Sequence, residues 1–312
     1  MSDFPEKVTL ADIEYCFGVD KSELSDAFMA RYEQLNLHYR RPGKEERDGI
    51  ILEVLRKIES DKQKIAAKER KDVWHNGWQE NLDAFRASGG DFESLTPKFI
   101  RHGQPIRFRG DYIIPENNRF EYDFLRLFQY WLFEKYLKDC SEVYEFGCGT
   151  GLNLELISKI FPDKTLHGLD FVQSSVDLID EIHRYHDIKV SGHLFDMTQP
   201  DQSLIIREGA GVFTFGSLEQ LAGNIQPILA YFLASKAKIF LHVEPTIEKY
   251  DENRLFDFLA MKFHSKRGYS QGLVATLEHL HEQGTITLEQ IHRLNFGSLF
   301  MEGYTLYVWH LN

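Results

Sequence analysis

From Val143 the chain reads Val143-Tyr144-Glu145-Phe146-Gly147-Cys148-Gly149-Thr150-Gly151-Leu152. A short apolar run passes into three glycines spaced by single residues, and an amphipathic stretch continues to residue 160. This is the pattern of a strand turning sharply into a helix. Glycine admits the left-handed backbone such a turn needs, and it lets a ligand approach the positive end of the helix that follows. A dinucleotide loop, G-x-G-x-x-G, would carry its third glycine at position 152; here 152 is Leu and the third glycine is Gly151. Glu145, two residues before the first glycine, would repel a pyrophosphate and suits a cationic amino-acid moiety.

Outward from this loop the sequence alternates regularly. Apolar runs at 143–146, 165–169, 190–195, 211–215 and 238–243 predict strands, and amphipathic stretches at 152–160, 174–185 and 225–235 predict helices. That alternation implies a mainly parallel sheet with helices on both faces. The tail departs from it: runs at 289–294 and 304–309, separated by residues 295–303, predict a closing antiparallel pair.

The loop 145–151 resembles motif I of the class I S-adenosylmethionine-dependent methyltransferases. Asp170 ends the second strand 25 residues after Glu145, where that family places an acidic residue on the cofactor ribose. Asp196-Met197 follows the third strand, where the family places an Asp by the adenine. Phe215-Gly216-Ser217-Leu218-Glu219 matches the fourth strand and its loop. The resemblance covers residues 120–312 and implies a Rossmann-like α/β domain with a seven-stranded, mainly parallel sheet ordered 3-2-1-4-5-7-6, strand 7 antiparallel. It implies S-adenosyl-L-methionine as cofactor, S-adenosyl-L-homocysteine as product, and Glu145, Gly147, Cys148, Gly149, Gly151, Asp170, Phe171, Asp196, Met197, Phe215, Gly216 and Ser217 as cofactor contacts. Read singly, Asp170 and Asp196 are equally good turn residues; their position at the ends of successive strands favours the ligand. Cys148 has no neighbouring base and is read as a small loop residue rather than a nucleophile.

The methyl acceptor is less legible. The loop after strand four lacks the N/D-P-P-Y/F of amino-methylating enzymes, no Pro-Cys nucleophile is present, and Gln220 stands where many similar small-molecule enzymes carry a histidine. The base is therefore sought on strand five. In Phe240-Leu241-His242-Val243-Glu244-Pro245, alternation sets His242 and Glu244 on one side, which suggests His242 as proton acceptor and Glu244 as its orienting group. A structural, hydrogen-bonded His242 is the alternative. A metal site using His264, His279 or His281 lacks suitable spacing, and no metal is expected. Glu219, Trp78 and the arginines Arg101, Arg107, Arg109, Arg119 and Arg267 are candidates for holding an anionic substrate; arginines paired with surface acids are the alternative. Trp74-His75-Asn76-Gly77-Trp78 suggests either a lid or interdomain packing.

Residues 1–95 read as helical throughout, with Thr9 and Asp20 as caps, a face formed by Leu24, Phe28, Tyr32, Leu35 and Tyr39, and a proline-free stretch over 44–86 carrying Ile51, Leu55, Ile58 and Ile65. Two units follow: a helical lid or interaction domain over 1–115, and the cofactor-binding domain over 116–312. The net charge of −12 argues against non-specific nucleic-acid binding. Three unclustered cysteines, Cys16, Cys140 and Cys148, suggest a reducing, cytoplasmic setting, and no apolar run is long enough for a bilayer. The expected activity is methylation, at oxygen, of a small anionic metabolite such as a phosphorylated or nucleotide-linked sugar or natural-product precursor. The N-terminal helices offer a surface for a homodimer. A protein or RNA methyltransferase docked by the helical part, and a non-catalytic cofactor-binding scaffold, are the competing readings.

Overall fold

The computed structural model describes residues 3–64, 70–97 and 103–312. In chain order the elements are β1 (Glu6–Lys7), α1 (Leu10–Phe17), α2 (Asp26–Gln34), β2 (His38–Arg40), α3 (Lys44–Ser60), α4 (Arg70–Ala87), β3 (Ile106–Phe108), β4 (Asp111–Pro115) and α5 (Phe120–Leu137). The alternating part follows: β5 (Glu142–Phe146), α6 (Leu152–Ile160), β6 (Thr165–Asp170), α7 (Gln173–His186), β7 (Val190–Leu194), β8 (Gly211–Phe215), α8 (Gln226–Leu233) and β9 (Ile239–Glu244). Last come α9 (Leu255–Arg267), α10 (Leu273–Glu282), β10 (Ile286–Arg293), β11 (Phe296–Gly297) and β12 (Thr305–Leu311).

The main sheet runs β7-β6-β5-β8-β9-β12-β10. Numbered within the sheet, that is 3-2-1-4-5-7-6. The pairs among β5 to β9 are parallel, while β12 is antiparallel to both β9 and β10. The order of strand addition therefore reverses between the parallel neighbours β5 and β8, the switch point where open α/β sheets bind ligands beyond their carboxyl ends. The order is the one implied by the methyltransferase resemblance.

The N-terminal part differs from the sequence expectation. It is not helical throughout: β1, β2, β4, β3 and β11 form a second, five-stranded antiparallel sheet. Asp20 caps only a short 3-10 turn; Ser25 caps α2, and Tyr39 lies in β2 rather than on a helix face. The expected helix over 44–86 is two helices, α3 and α4, and Ile65 lies outside the described residues. Hydrogen-bond pairing of Phe296 with Phe108 draws the C-terminal tail into this sheet. The cause is the aromatic payload of α5. Phe124 and Phe128 pack with Phe17 and Phe296 at ring separations of 4.7–6.4 Å, so one core continues from α1 through α5 into Val143, Phe213 and Leu241 of the main sheet. Such large rings bury enough apolar area to override weak local propensity.

Candidate functional site

The glycine loop is built as its sequence demands. Gly147, Gly149 and Gly151 all take positive φ, at 76°, 54° and 75°, values that cost a side-chain-bearing residue strain. A Cβ on Gly147 would meet Ser217 at 2.4 Å, and one on Gly151 would meet Ile179 at 2.4 Å. The loop is tied back by Gly147 and Cys148 N–H donating to the Leu169 carbonyl at 2.7 and 3.0 Å. Cys148 is buried and its thiol is pushed well up by burial and then by Asp170 and Glu145, which leaves it protonated and unreactive.

Two carboxylates frame the loop. Asp170, 4% exposed, accepts from Gly149 N–H at 2.9 Å and Val172 N–H at 3.3 Å; burial raises its pKa to about 6 against those amides. Glu145 is 1% exposed. Its Oε1 accepts from Asn153 Nδ2 at 2.6 Å, Asn153 accepts from Gln129, and Arg126 on the same helix bridges Gln129 to Glu155. Glu145 Oε2 is buried with no donor among the described residues. Burial, opposed by Asn153, holds the carboxyl well above its ordinary range. A buried carboxylate oxygen without a donor is costly unless a ligand supplies one, so this loop fits a group ending in an ammonium.

The remaining expected cofactor contacts are spread around the same end of the sheet. Phe171 follows Asp170 directly, and Met197 Cε lies 3.6 Å from the Cβ position of Gly147. Phe215 packs its ring 5.0 Å from Tyr304. Gly216, at φ 61°, donates its N–H to the Val243 carbonyl, and Ser217 Oγ donates to Phe146 O at 2.9 Å. Asp196 is exposed and closes its own turn, accepting from Thr198 N–H and Oγ1. Trp78 on α4 lies against the loop, its ring 3.0 Å from the Cβ position of Gly149. It stacks on Trp74 at 5.2 Å, and the His75 carbonyl accepts from Ser174 Oγ. Helix α4 thus covers the glycine loop and packs on α7.

His242 is not where a base is needed. Alternation does keep it on one side with Glu244, but it sits two residues deeper than the strand end. Its ring lies between Phe232 of α8 and Trp309 of β12, at 5.9 and 6.0 Å, is 1% exposed and shares a 2.9 Å hydrogen bond between Nδ1 and Thr214 Oγ1. Burial alone lowers its pKa to about 3. It is a neutral core histidine.

The strand ends instead gather acids that sequence reasoning did not assemble. Glu244 accepts from Ser217 and Leu218 N–H at 3.2 and 3.1 Å, is fully enclosed, and is pushed well above the usual range by burial and then by the neighbouring Glu219 carboxyl. Tyr304 closes this group: its ring edge and the Glu219 carboxyl both lie within 4 Å of the Cβ position of Gly216, and burial with both glutamates keeps its hydroxyl protonated. Glu121, on the first turn of α5, is raised to about 7 by burial. The available signal for Tyr304 was its place at the entry to the last strand; nothing local marked Glu121.

The arginine rim does not form. Arg109 pairs with Asp12, Arg119 with Glu93 and Asp123, and Arg267 with Asp61, because an acidic protein supplies carboxylates close to each. Arg101 lies outside the described residues. Arg107 alone is fully buried. No group of three or more His, Cys, Asp or Glu side chains among the described residues could hold a metal ion, and no helix of the described residues is long and apolar enough to cross a membrane.

No protein-family model and no curated protein matches the chain. Solved structures do. A geranyl diphosphate C-methyltransferase from Streptomyces coelicolor, in complex with S-adenosyl-L-homocysteine, is 11% identical, covers 75% of this chain and 98% of its own, and superposes with a TM-score of 0.47. An rRNA methylase from Escherichia coli is 14% identical over 92% of this chain and 99% of its own, with a TM-score of 0.44. The plantazolicin methyltransferase, also holding S-adenosyl-L-homocysteine, is 13% identical over 82% and 98%, with a TM-score of 0.41.

Proposed function

We propose that the protein transfers a methyl group from S-adenosylmethionine to an oxygen of a small anionic metabolite. The observation that carries the reading is Glu145: a buried carboxylate with one oxygen lacking a donor, two residues before a left-handed glycine loop at the sheet's switch point. That oxygen suits the cofactor's ammonium, Asp170 its ribose hydroxyls, and Phe171, Met197 and Trp78 its apolar surfaces. When bound, the cofactor supplies a methyl group on sulfonium, already electrophilic. The chain's own residues then have to position the acceptor and remove its proton.

Glu219 and Glu244 are suited to the second task. Two carboxyls in contact inside a low-dielectric site hold one proton between them. Glu244 is anchored by two backbone amides, so its partner Glu219 is the group that takes the proton from the acceptor hydroxyl as oxygen bonds to the methyl carbon and the carbon–sulfur bond breaks. Tyr304, protonated, donates to the acceptor oxygen and orients it. The test is transfer of labelled methyl from S-adenosylmethionine to separated pools of small metabolites, RNA and protein. Label in the small-metabolite pool, lowered about 10²-fold or more by Glu219→Gln, supports the reading. Label confined to RNA or protein, or no transfer to any pool, overturns it.

A further inference from the structure

Beyond the carboxyl end of β9, four separate parts of the chain enclose a second polar cluster. Arg107 of β3 is 0% exposed; its Nη1 donates to the Phe256 carbonyl at 2.6 Å, and its guanidinium lies 5.4 Å from the Phe256 ring centre and 5.7 Å from that of Tyr112. Its Nε and Nη2 are buried with no acceptor among the described residues. His264 of α9, 1% exposed, has both ring nitrogens in the same condition. Tyr250 joins them. His264 stands edge-on to it at 5.4 Å, and Arg293 of β10 lies over its ring at 4.4 Å. Arg293 Nε is a further buried donor without an acceptor among the described residues.

The nearby carboxylates are already used. Asp257 accepts from Arg293 and from Asp251 N–H, and Glu302 from Arg293 and Gly110 N–H. Two guanidiniums and two carboxylates leave the cluster formally neutral, which allows it to be buried. Yet Arg107 Nε and Nη2 and both His264 ring nitrogens have no partner among the described residues, and buried polar groups in native proteins are rarely left so. Guanidinium N–H groups in a fixed fork and an imidazole are the groups that hold planar or tetrahedral oxyanions.

We infer that Arg107, His264 and Arg293 form a subsite for an oxyanion of the methyl acceptor, a phosphoryl or carboxylate group whose oxygens take the Arg107 Nε and Nη2, the His264 N–H and the Arg293 Nε. The inference rests on the methyl-transfer reading for the word acceptor, and on the cluster alone for the anion. The two sites adjoin: Tyr269 lies 5.0 Å from the His264 ring, and its neighbour Ser270 donates its N–H to the Glu219 carbonyl. An acceptor with its anion at Arg107 would thus direct its other end past Tyr269 toward Glu219 and the methyl group.

The test is thermal unfolding of the full chain in inorganic phosphate, in acetate, and in potassium chloride at matched ionic strength. Anion binding to the native state raises the melting temperature with saturation, by about 4 °C near a hundredfold excess over the dissociation constant. A rise in phosphate alone assigns a phosphoryl ligand, and a rise in acetate a carboxylate. Arg107→Met and His264→Phe should each abolish or strongly reduce the rise while keeping the shift produced by S-adenosyl-L-homocysteine. The His264 ring makes no hydrogen bond among the described residues, so His264→Phe reports even where Arg107→Met fails to fold. No saturable rise above the chloride control, or a rise unchanged in His264→Phe, overturns the subsite. A wild-type protein indifferent to S-adenosyl-L-homocysteine but stabilised by phosphate would instead remove the methyl-transfer reading and leave the subsite standing.

Discussion

Glu145→Gln separates a ligand-binding role from a structural one. The amide can keep Oε1 as acceptor for Asn153, whose 2.6 Å bond anchors the carboxyl, and can place its NH₂ where Oε2 now meets no donor among the described residues. No hydrogen bond is lost in the free protein, and the cost of holding the buried carboxyl protonated at neutral pH disappears. The bound cofactor, however, would lose a charge-assisted bond to its ammonium, about 2 kcal/mol, which corresponds to about 30-fold in Kd. The pH dependence has a definite sign. Glu145 keeps a proton in the native state that the unfolded chain releases near 4.5, so the native state binds more protons above that pH and stability falls as pH rises. Asp170, raised from 3.8 to about 6, adds to the same fall. Glu145→Gln should flatten the decline above pH 4.5 and melt no lower than wild type at pH 7.5. Calorimetry with S-adenosyl-L-homocysteine and melting curves from pH 4 to 8 measure both. Affinity within twofold of wild type, or a variant that melts several degrees lower with an unchanged pH slope, would refute the ligand-binding role.

Asp170→Ala should weaken S-adenosyl-L-homocysteine by about 2 kcal/mol through lost hydrogen bonds, measured by the same titration. His242→Phe leaves Thr214 without its partner and costs about 1 kcal/mol at neutral pH. The wild-type imidazole stays neutral down to about pH 3, whereas the unfolded one protonates below about 6.5, so wild-type stability falls on acidification through that window; the variant should lack this component in denaturant melts, and its rate of methyl transfer should stay within a few fold. Gly151→Ala combines a φ of 75° with a contact 2.4 Å from Ile179 and should destabilise by about 1–3 kcal/mol in urea titration.

The main sheet was legible because its signals are local. Each apolar run from 143 to 243 ends in a glycine, an acid or a proline, and β5 to β9 follow those runs within a residue or two. Helix α6 coincides with the expected 152–160, since Gly151 fixes its start. The five-stranded sheet was not legible, because β1, β2 and β11 are two or three residues long and exist through pairing with segments far away in sequence. Tyr39 belonged to the apolar spacing of a helix and was claimed by β4 instead. At the site, Glu145 and the glycines stand out in one continuous stretch. His242 was misplaced because period-two alternation gives a side of the strand but not a depth along it, and depth decides between cleft and core. The acid pair of Glu219 and Glu244 needed β8 and β9 to be neighbours in register. Arg107 and His264 are 157 positions apart, and nothing in either local sequence announces the other.

Isothermal titration of the purified chain with S-adenosyl-L-homocysteine, with NAD as the competing ligand, bears most directly on the central claim that the loop at 145–151 with Asp170 is a cofactor site of the methyltransferase kind. The account predicts saturable binding of one S-adenosyl-L-homocysteine per chain that NAD does not displace. Binding of NAD at this site, or no heat from S-adenosyl-L-homocysteine at millimolar concentration, would contradict it.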